Sequence, residues 1–297
     1  MNVYRAISSN KWKTWIIMVL FVVFITTLVF VFSKALGLSE LGMVGIALIF
    51  SGLISVGSFY YSDKMVLATT GAKQIQKSDY PQYFRTVENL SIAAGLPMPK
   101  VYVVDDPSPN AFSTGRDPKH AVVCATSGLL SMMNEAELEG VIGHELSHVE
   151  DYDIRLMAVV AVLVGFVAVI SDLFLRVSFF RGNDRDNNNS GAIFLVIALI
   201  FAILSPMTAM LIQLSVSRKR EFLADANGVL LTRYPEGLAS ALEKLLKDQT
   251  PPKYASNATA ALYIENPFDN KKVKNLFTGL FNTHPPLEER IKILRSM

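Results

Sequence analysis

Long apolar runs divide this chain before any single residue is considered. Residues 14–33 carry no charge and are flanked by Lys13 and Lys34. Residues 41–62 are again uncharged and hold Gly42, Gly45, Gly52 and Gly57, which permit close helix packing. A third run starts near Leu156 and reaches about Leu175, with Asp172 near its far end. A fourth lies within 187–217 and contains Pro206, which would kink it. A bilayer core about 30 Å thick is crossed by about 20 helical residues, so the pattern predicts about four transmembrane helices in two hairpins. The uncharged part of the third run, 156–171, is slightly short and also reads as a buried core helix. The fourth segment needs a partner to return, which favours crossing. The first run is too long for a secretory h-region, and no clear small-x-small cleavage site follows it, so it reads as a retained helix.

The polar remainder, 63–153 and 218–297, is interrupted by the second hairpin and can form one domain. The division is therefore 1–62, an N-terminal transmembrane hairpin; 63–153, the first polar part; 154–217, the second hairpin; and 218–297, the second polar part. In the first polar region, residues 79–94 predict a helix closed by Gly95, residues 101–104 and 121–124 predict strands, and 110–115 a turn or short edge strand. The second region reads as mostly helical. The fold class is a mainly α membrane protein whose two polar parts form an α+β domain carrying a small sheet.

Composition agrees. Hydrophobic residues make up 51% and charged residues 18%, where a soluble domain carries about a quarter charged. A net charge of +2 offers no polybasic surface for nucleic acid. The single cysteine, Cys124, excludes an internal disulfide framework and reads as core. Basic residues gather before the first span (Arg5, Lys11, Lys13), after the second (Lys64, Lys73, Lys77) and after the fourth (Arg218, Lys219, Arg220). All fall on one side, which the positive-inside bias assigns to the cytoplasm together with both termini.

Candidate chemistry centres on His144-Glu145-Leu146-Ser147-His148. On a helix, two histidines four residues apart share one face and can hold one zinc ion. A helix is what the flanks predict. Asn134 is an N-cap with Glu137 three residues on, and Leu138, Val141, Ile142 and Leu146 follow at helical spacing. Glu145 falls beside the metal as a general base. With four histidines in the chain, chance would produce this pattern in about a few chains per thousand. The bland alternative is an amphipathic helix with two surface histidines. A third ligand six residues after His148 is excluded, since that position is Ile154. Glu221 is the better candidate. It follows the fourth run about as closely as His148 precedes the third, so extended antiparallel helices would bring both to one height. Its alternative is a solvated charge paired with Arg218 or Lys219. Asp225, one turn on, would orient a ligand histidine. His120 reads as a surface residue. Glu150, Asp151 and Asp153 beside the motif suggest that it sits in water at the surface rather than inside the membrane.

These residues resemble the HtpX-type membrane metalloproteases of bacteria, gluzincins related to the CAAX prenyl proteases. The resemblance spans essentially the whole chain. It rests on the two N-terminal spans, Pro109-Asn-Ala-Phe-Ser-Thr-Gly, the stretch 140–148, Arg220-Glu-Phe-Leu-Ala-Asp and Thr283-His-Pro-Pro. It implies one zinc with Glu221 as third ligand, an active site facing the cytoplasm, and a role in stress-linked quality control of membrane proteins. It also makes His284 a candidate donor to the transition-state oxyanion; otherwise His284 is a helix-entry residue before two prolines. Bound zinc would lower the pKa of water from about 15.7 toward 7, with Glu145 taking and returning the proton. Asn110, Ala111 and Phe112 would offer a sheet edge to an extended substrate, or else form an ordinary surface hairpin. A zinc-binding scaffold without catalysis has no need of Glu145. A transporter would carry ionisable groups mid-membrane, which these runs lack at their centres.

Overall fold

A computed structural model describes residues 3–35, 39–181, 218–254, 262–264 and 285–297 of the protein. The first two apolar runs become α1 (Val3–Ala35) and α2 (Glu40–Thr70). Within them Ile7–Phe30 and Leu41–Thr70 are long and apolar enough to cross a membrane. Their outer faces show why: Trp15, Val19 and Val23 on α1 and Ile49, Phe50 and Leu53 on α2 are exposed, a surface suited to lipid and not to water. Near one end of the pair Trp15 stacks on Phe59, whose ring also meets Tyr60 edge-on. Aromatic clusters of this kind favour the membrane–water boundary. The helix α2 runs eight residues past the expected end at 62. Gly71 closes it at φ 65°, in the left-handed region that suits glycine.

The third run lies in α6 (Asp153–Arg181). It packs against both α1 and α2. Leu156, Val159, Leu163, Val164 and Val167 pack with Ile17, Met18, Phe21 and Ile25 of α1, and every residue from Leu156 to Val164 is buried. Such all-round apolar character marks a helix enclosed by neighbours. The fourth run, 187–217, lies outside the described residues.

The polar regions form a small mixed sheet backed by helices. The strands are β1 (Lys73–Gln74), β2 (Lys100–Val104), β3 (Ala111–Thr114) and β4 (Val122–Thr126), in the order β1-β2-β4-β3. Only β2 and β4 are parallel. The stretch 110–115 is therefore an edge strand, as the sequence suggested. The helices are α3 (Pro81–Ala93), α4 (Ser127–Met132), α5 (Glu135–Glu150), α7 (Arg218–Thr232), α8 (Pro235–Lys247) and α9 (Leu287–Leu294). One core joins them: Val87, Val101 and Val123 pack with Leu138, Ile142, Leu242 and Ile291. Cys124 is fully buried, and His120 is an exposed partner of Asp117.

One sharp corner departs from expectation. The sequence predicts a motif helix that continues straight into the third run. Instead α5 ends at Glu150, Tyr152 takes φ 61°, and α6 leaves at 84° to α5. A left-handed φ at a bulky residue costs about 1–2 kcal/mol. The corner is packed by Tyr152 itself, with the Lys11 ammonium 4.3 Å above its ring.

Candidate metal centre

The helix α5 begins as its sequence dictates. Asn134 Oδ1 accepts from the Glu137 amide at 2.9 Å, and Glu137 Oε2 accepts from the Asn134 amide at 2.8 Å. This capping box satisfies two amides that a helix start leaves open. Lys244 of α8 adds an ion pair to Glu137 at 2.6 Å. Two glycines, one on α5 and one on α7, then set how closely the neighbours of α5 approach. A methyl group on Gly140 would meet the Leu238 amide at 2.5 Å, and one on Gly228 of α7 would meet the His144 amide at 2.9 Å. With no side chain at either crossing, α7 lies directly against the turn of α5 that carries the motif.

That approach brings the side chains together. His144 Nε2 and His148 Nε2 face each other at 3.1 Å. Glu221 Oε2 is 3.8 Å from the first and Oε1 3.7 Å from the second. All three residues are buried, and one ligand atom from each falls within 4.8 Å of the others, an arrangement that can hold a metal ion. Glu221 is thus not a solvated partner of Arg218 or Lys219.

Each histidine is held from behind by a carboxylate. His144 Nδ1 lies 2.9 Å from Asp225 Oδ1, the partner expected from the sequence. His148 Nδ1 lies 3.0 Å from Asp153 Oδ2. Five residues along a straight helix would turn Asp153 about 140° away from His148; the corner at Tyr152 returns it. Each carboxylate is in turn held by a buried arginine. Arg290 donates to both oxygens of Asp225, at 2.8 and 2.6 Å, and Arg220 Nη1 donates to Asp153 Oδ1 at 2.6 Å. Burial disfavours the charge on Asp225, but Arg290 and the bond from His144 outweigh it and hold the carboxyl below its ordinary range. For Asp153, too, burial is outweighed, by the bond from His148 and the charge of Arg220.

The acidic residues beside the motif are therefore not hydrated surface charges: Asp151 and Asp153 are buried. Glu145, Asp151, Asp153, Glu221 and Asp225 are five buried carboxylates, against two buried arginines, Arg220 and Arg290. With neutral imidazoles and ionised carboxylates the balance is −3, an excess of buried negative charge that a divalent cation would largely offset. The same excess shows at His148. Burial works against its charge, yet the bond to Asp153 and the charges of Glu221, Asp153 and Glu145 push its pKa up to about 9.

Glu145 is turned toward the sheet. Ser113 Oγ of β3 donates to Glu145 Oε2 at 2.8 Å. Beside it a small cleft opens, lined by Ala111, Phe112, Ser113, the two histidines, Glu221, Met157 of α6 and residues 262–264. Asn110 is committed elsewhere. Its Oδ1 accepts from the Ile264 amide at 3.1 Å and its Nδ2 donates to the Leu262 carbonyl at 3.5 Å, so its side chain ties the 262–264 segment to the cleft. His284 lies outside the described residues.

Sequence reasoning missed Asp153, Arg290, Ser113 and the glycine crossings. Arg290 alone left a trace. Leu287, Arg290, Ile291 and Leu294 stand at core spacing and are all buried; an arginine in a core position signals a buried partner.

The model of peptidase family M48 matches residues 78–297. A protease HtpX homolog of Dictyoglomus thermophilum is 47% identical over 299 residues, covering 99% of this chain and 94% of the relative. One from Tropheryma whipplei is 46% identical over 294 residues (99% and 98%), and one from Lactobacillus helveticus 45% over 305 (99% of each). Among solved structures, S. mikatae Ste24p aligns with 98% of this chain and 67% of its own, at 17% identity and a TM-score of 0.49.

Proposed function

The chain belongs to peptidase family M48 and is a metallopeptidase, and on that premise we propose a zinc-dependent endopeptidase of the cell membrane. It would cut misfolded or damaged membrane proteins at the cytoplasmic face, under stress. The observation that carries the reading is the meeting of His144, His148 and Glu221 beside Glu145. Zinc suits that donor set. Ligands about 2.0–2.1 Å from a tetrahedral ion lie roughly 3.3 Å from one another, and the donor separations here are 3.1, 3.7 and 3.8 Å. Two histidines and one glutamate leave a coordination position open, as catalytic and not structural zinc sites do.

Bound zinc supplies Lewis acidity, which activates water and polarises the scissile carbonyl. The chain's own residues do the rest. Glu145 removes the proton from the attacking water and delivers it to the departing amine. Ser113 keeps the Glu145 carboxylate in the cleft. Asp225 and Asp153 hold Nδ1 of each histidine, leaving Nε2 for the metal. His284 is retained as a donor to the oxyanion on its Thr-His-Pro-Pro context alone.

The edge strand is the proposed substrate bed. Asn110 directs its carbonyl to Thr126 of β4. The antiparallel alternation then turns the backbone groups of Ala111 and Ser113 away from the sheet. An extended peptide pairing there would pass the metal centre, and main-chain bonds tolerate many sequences. Membrane substrates are supported by the exposed apolar flanks of α1 and α2, which hold the cleft near a bilayer. The cytoplasmic side rests on the clustered lysines and arginines.

Detergent-purified full chain would be given an unfolded soluble reporter and a membrane-protein reporter, with bound zinc quantified. Wild type should bind one zinc and cut. Glu145→Gln should keep zinc and lose cutting, and Glu221→Ala should lose both. Cutting by Glu145→Gln at the wild-type rate would sink the mechanism.

A further inference from the structure

The described part of the first membrane helix makes one buried polar contact with the catalytic region, and it lands on the metal centre. Asn10 of α1 is buried, one turn before Thr14, whose hydroxyl donates to the Asn10 carbonyl at 2.8 Å. Its Nδ2 donates to Asp153 Oδ1 at 2.6 Å and to the Asp151 carbonyl at 2.9 Å. Its Oδ1 accepts from Arg220 Nη1 at 3.3 Å. The amide thus spends both protons and an acceptor on residues 141, 143 and 210 positions away in sequence.

We propose that Asn10 is a positioning residue of the metal centre, acting through Asp153 on His148, so that α1 completes the site as well as anchoring the protein. This rests on the reading of His148 as a ligand.

The Asp153 carboxylate divides its work. Oδ2 meets His148 Nδ1 at 3.0 Å, and Oδ1 receives Asn10 and Arg220 at 2.6 Å each. Losing one of two donors on Oδ1 lets the carboxylate rotate, and with it the imidazole. No shorter side chain reaches all three partners. Aspartate would set a second carboxylate against Asp153 and supply no donor. Glutamine would carry the amide about one methylene too far. Asparagine alone offers two donors and an acceptor in one plane at this reach.

Arg220 tightens the link. It precedes Glu221, so the residue that bridges Asn10 and Asp153 adjoins the third ligand. The peptide of α7 bearing Glu221 is thereby tied to α1 on one flank and to His148 on the other. The consequence is an order of assembly: α1 must be seated against α6 and α7 before His148 and Glu221 hold their places. A chain whose first helix has not been inserted would carry the motif without a competent centre.

The test is zinc affinity, measured by chelator competition on full-length protein in detergent. Asn10→Leu, similar in size but unable to hydrogen-bond, should weaken zinc binding by about 10–100-fold, the usual loss when a partner behind a ligand histidine is removed. Asp153→Asn should do the same, and the double variant should be little worse than either single one. If Asn10→Leu is not recovered folded, Asn10→Ser carries the same expectation. The control is Ile17→Ala, which thins the packing of α1 on α6 without touching the bridge. It should lower Tm and leave zinc affinity within about threefold. Wild-type affinity in Asn10→Leu, or an equal loss in Ile17→Ala, overturns the inference while the zinc site stands. A wild-type chain that binds no zinc overturns the ligand reading itself.

Discussion

Asp225 Oδ1 lies 2.9 Å from His144 Nδ1 while the same carboxylate takes a two-pronged hydrogen bond from Arg290. The pair therefore fixes the ring of His144 and neutralises a buried cation at once. Asp225→Asn keeps the shape but presents a neutral group to both partners. Zinc affinity should fall by about 10–100-fold. Asp225→Ala also removes both acceptors of the buried Arg290 and leaves it Glu221 alone, at 3.5 Å, at a cost of about 3–5 kcal/mol. Chelator competition and thermal unfolding separate the two effects. Unchanged zinc affinity in Asp225→Asn would remove Asp225 from the site.

Gly228→Ala tests the helix crossing. The added methyl would sit 2.9 Å from the His144 amide and 3.1 Å from the Gly143 carbonyl carbon. Backbone cannot yield as a side chain does, so α7 must move, and Glu221 with it. A destabilisation of about 1–3 kcal/mol is expected, with loss of bound metal. Gly45→Ala on α2, where nothing lies within 4 Å, should change neither. Full metal occupancy in Gly228→Ala would show that the close approach is dispensable.

These cases mark what could be read in the chain alone. The motif helix was legible because the capping box, the apolar spacing and the paired histidines are all local. So were the two N-terminal membrane helices, whose length and lack of charge need no partner to be recognised. Glu221 was reachable through its Arg220-Glu-Phe-Leu-Ala-Asp context, and Asp225 because it shares a helical face with Glu221; the straight helix assumed between His148 and the third run does not exist. Asp153 was not: its role depends on the corner at Tyr152, and no local signal announces a left-handed tyrosine. On sequence it looked like one of three solvated acids. Gly140 and Gly228 were unreadable for a related reason. A glycine in a helix says that something is close, and only the packed structure says what.

Ser113→Ala examines how Glu145 is held. Its hydroxyl donates to Glu145 Oε2 at 2.8 Å within the cleft. A hydrogen bond to a charged group contributes about 1.5–3 kcal/mol, so kcat should fall about tenfold or more. Bound metal should stay at the wild-type level, since Ser113 touches no ligand. Steady-state proteolysis with parallel metal analysis decides it. A loss of metal would mean that Ser113 supports the site as a whole.

Asp151, whose side chain holds no ligand, gives a pH signature in stability. Burial, then the neighbouring charges of Asp153 and Glu150, push its carboxyl up to about 6 from the ordinary 3.8. Among the described residues its Oδ1 has no hydrogen-bond partner. The folded protein thus holds a proton that the unfolded chain has released between pH 3.8 and about 6. By linkage, stability falls as pH rises through that window, and the cost is complete above it. Asp151→Asn has no charge to bury and escapes the cost. The Tm of Asp151→Asn minus that of wild type should be near zero at about pH 4, grow through the window and stay positive at neutral pH. Taking the difference cancels titrations that both proteins share. A variant less stable than wild type at neutral pH would mean that the Asp151 carboxylate is favourably placed as an anion.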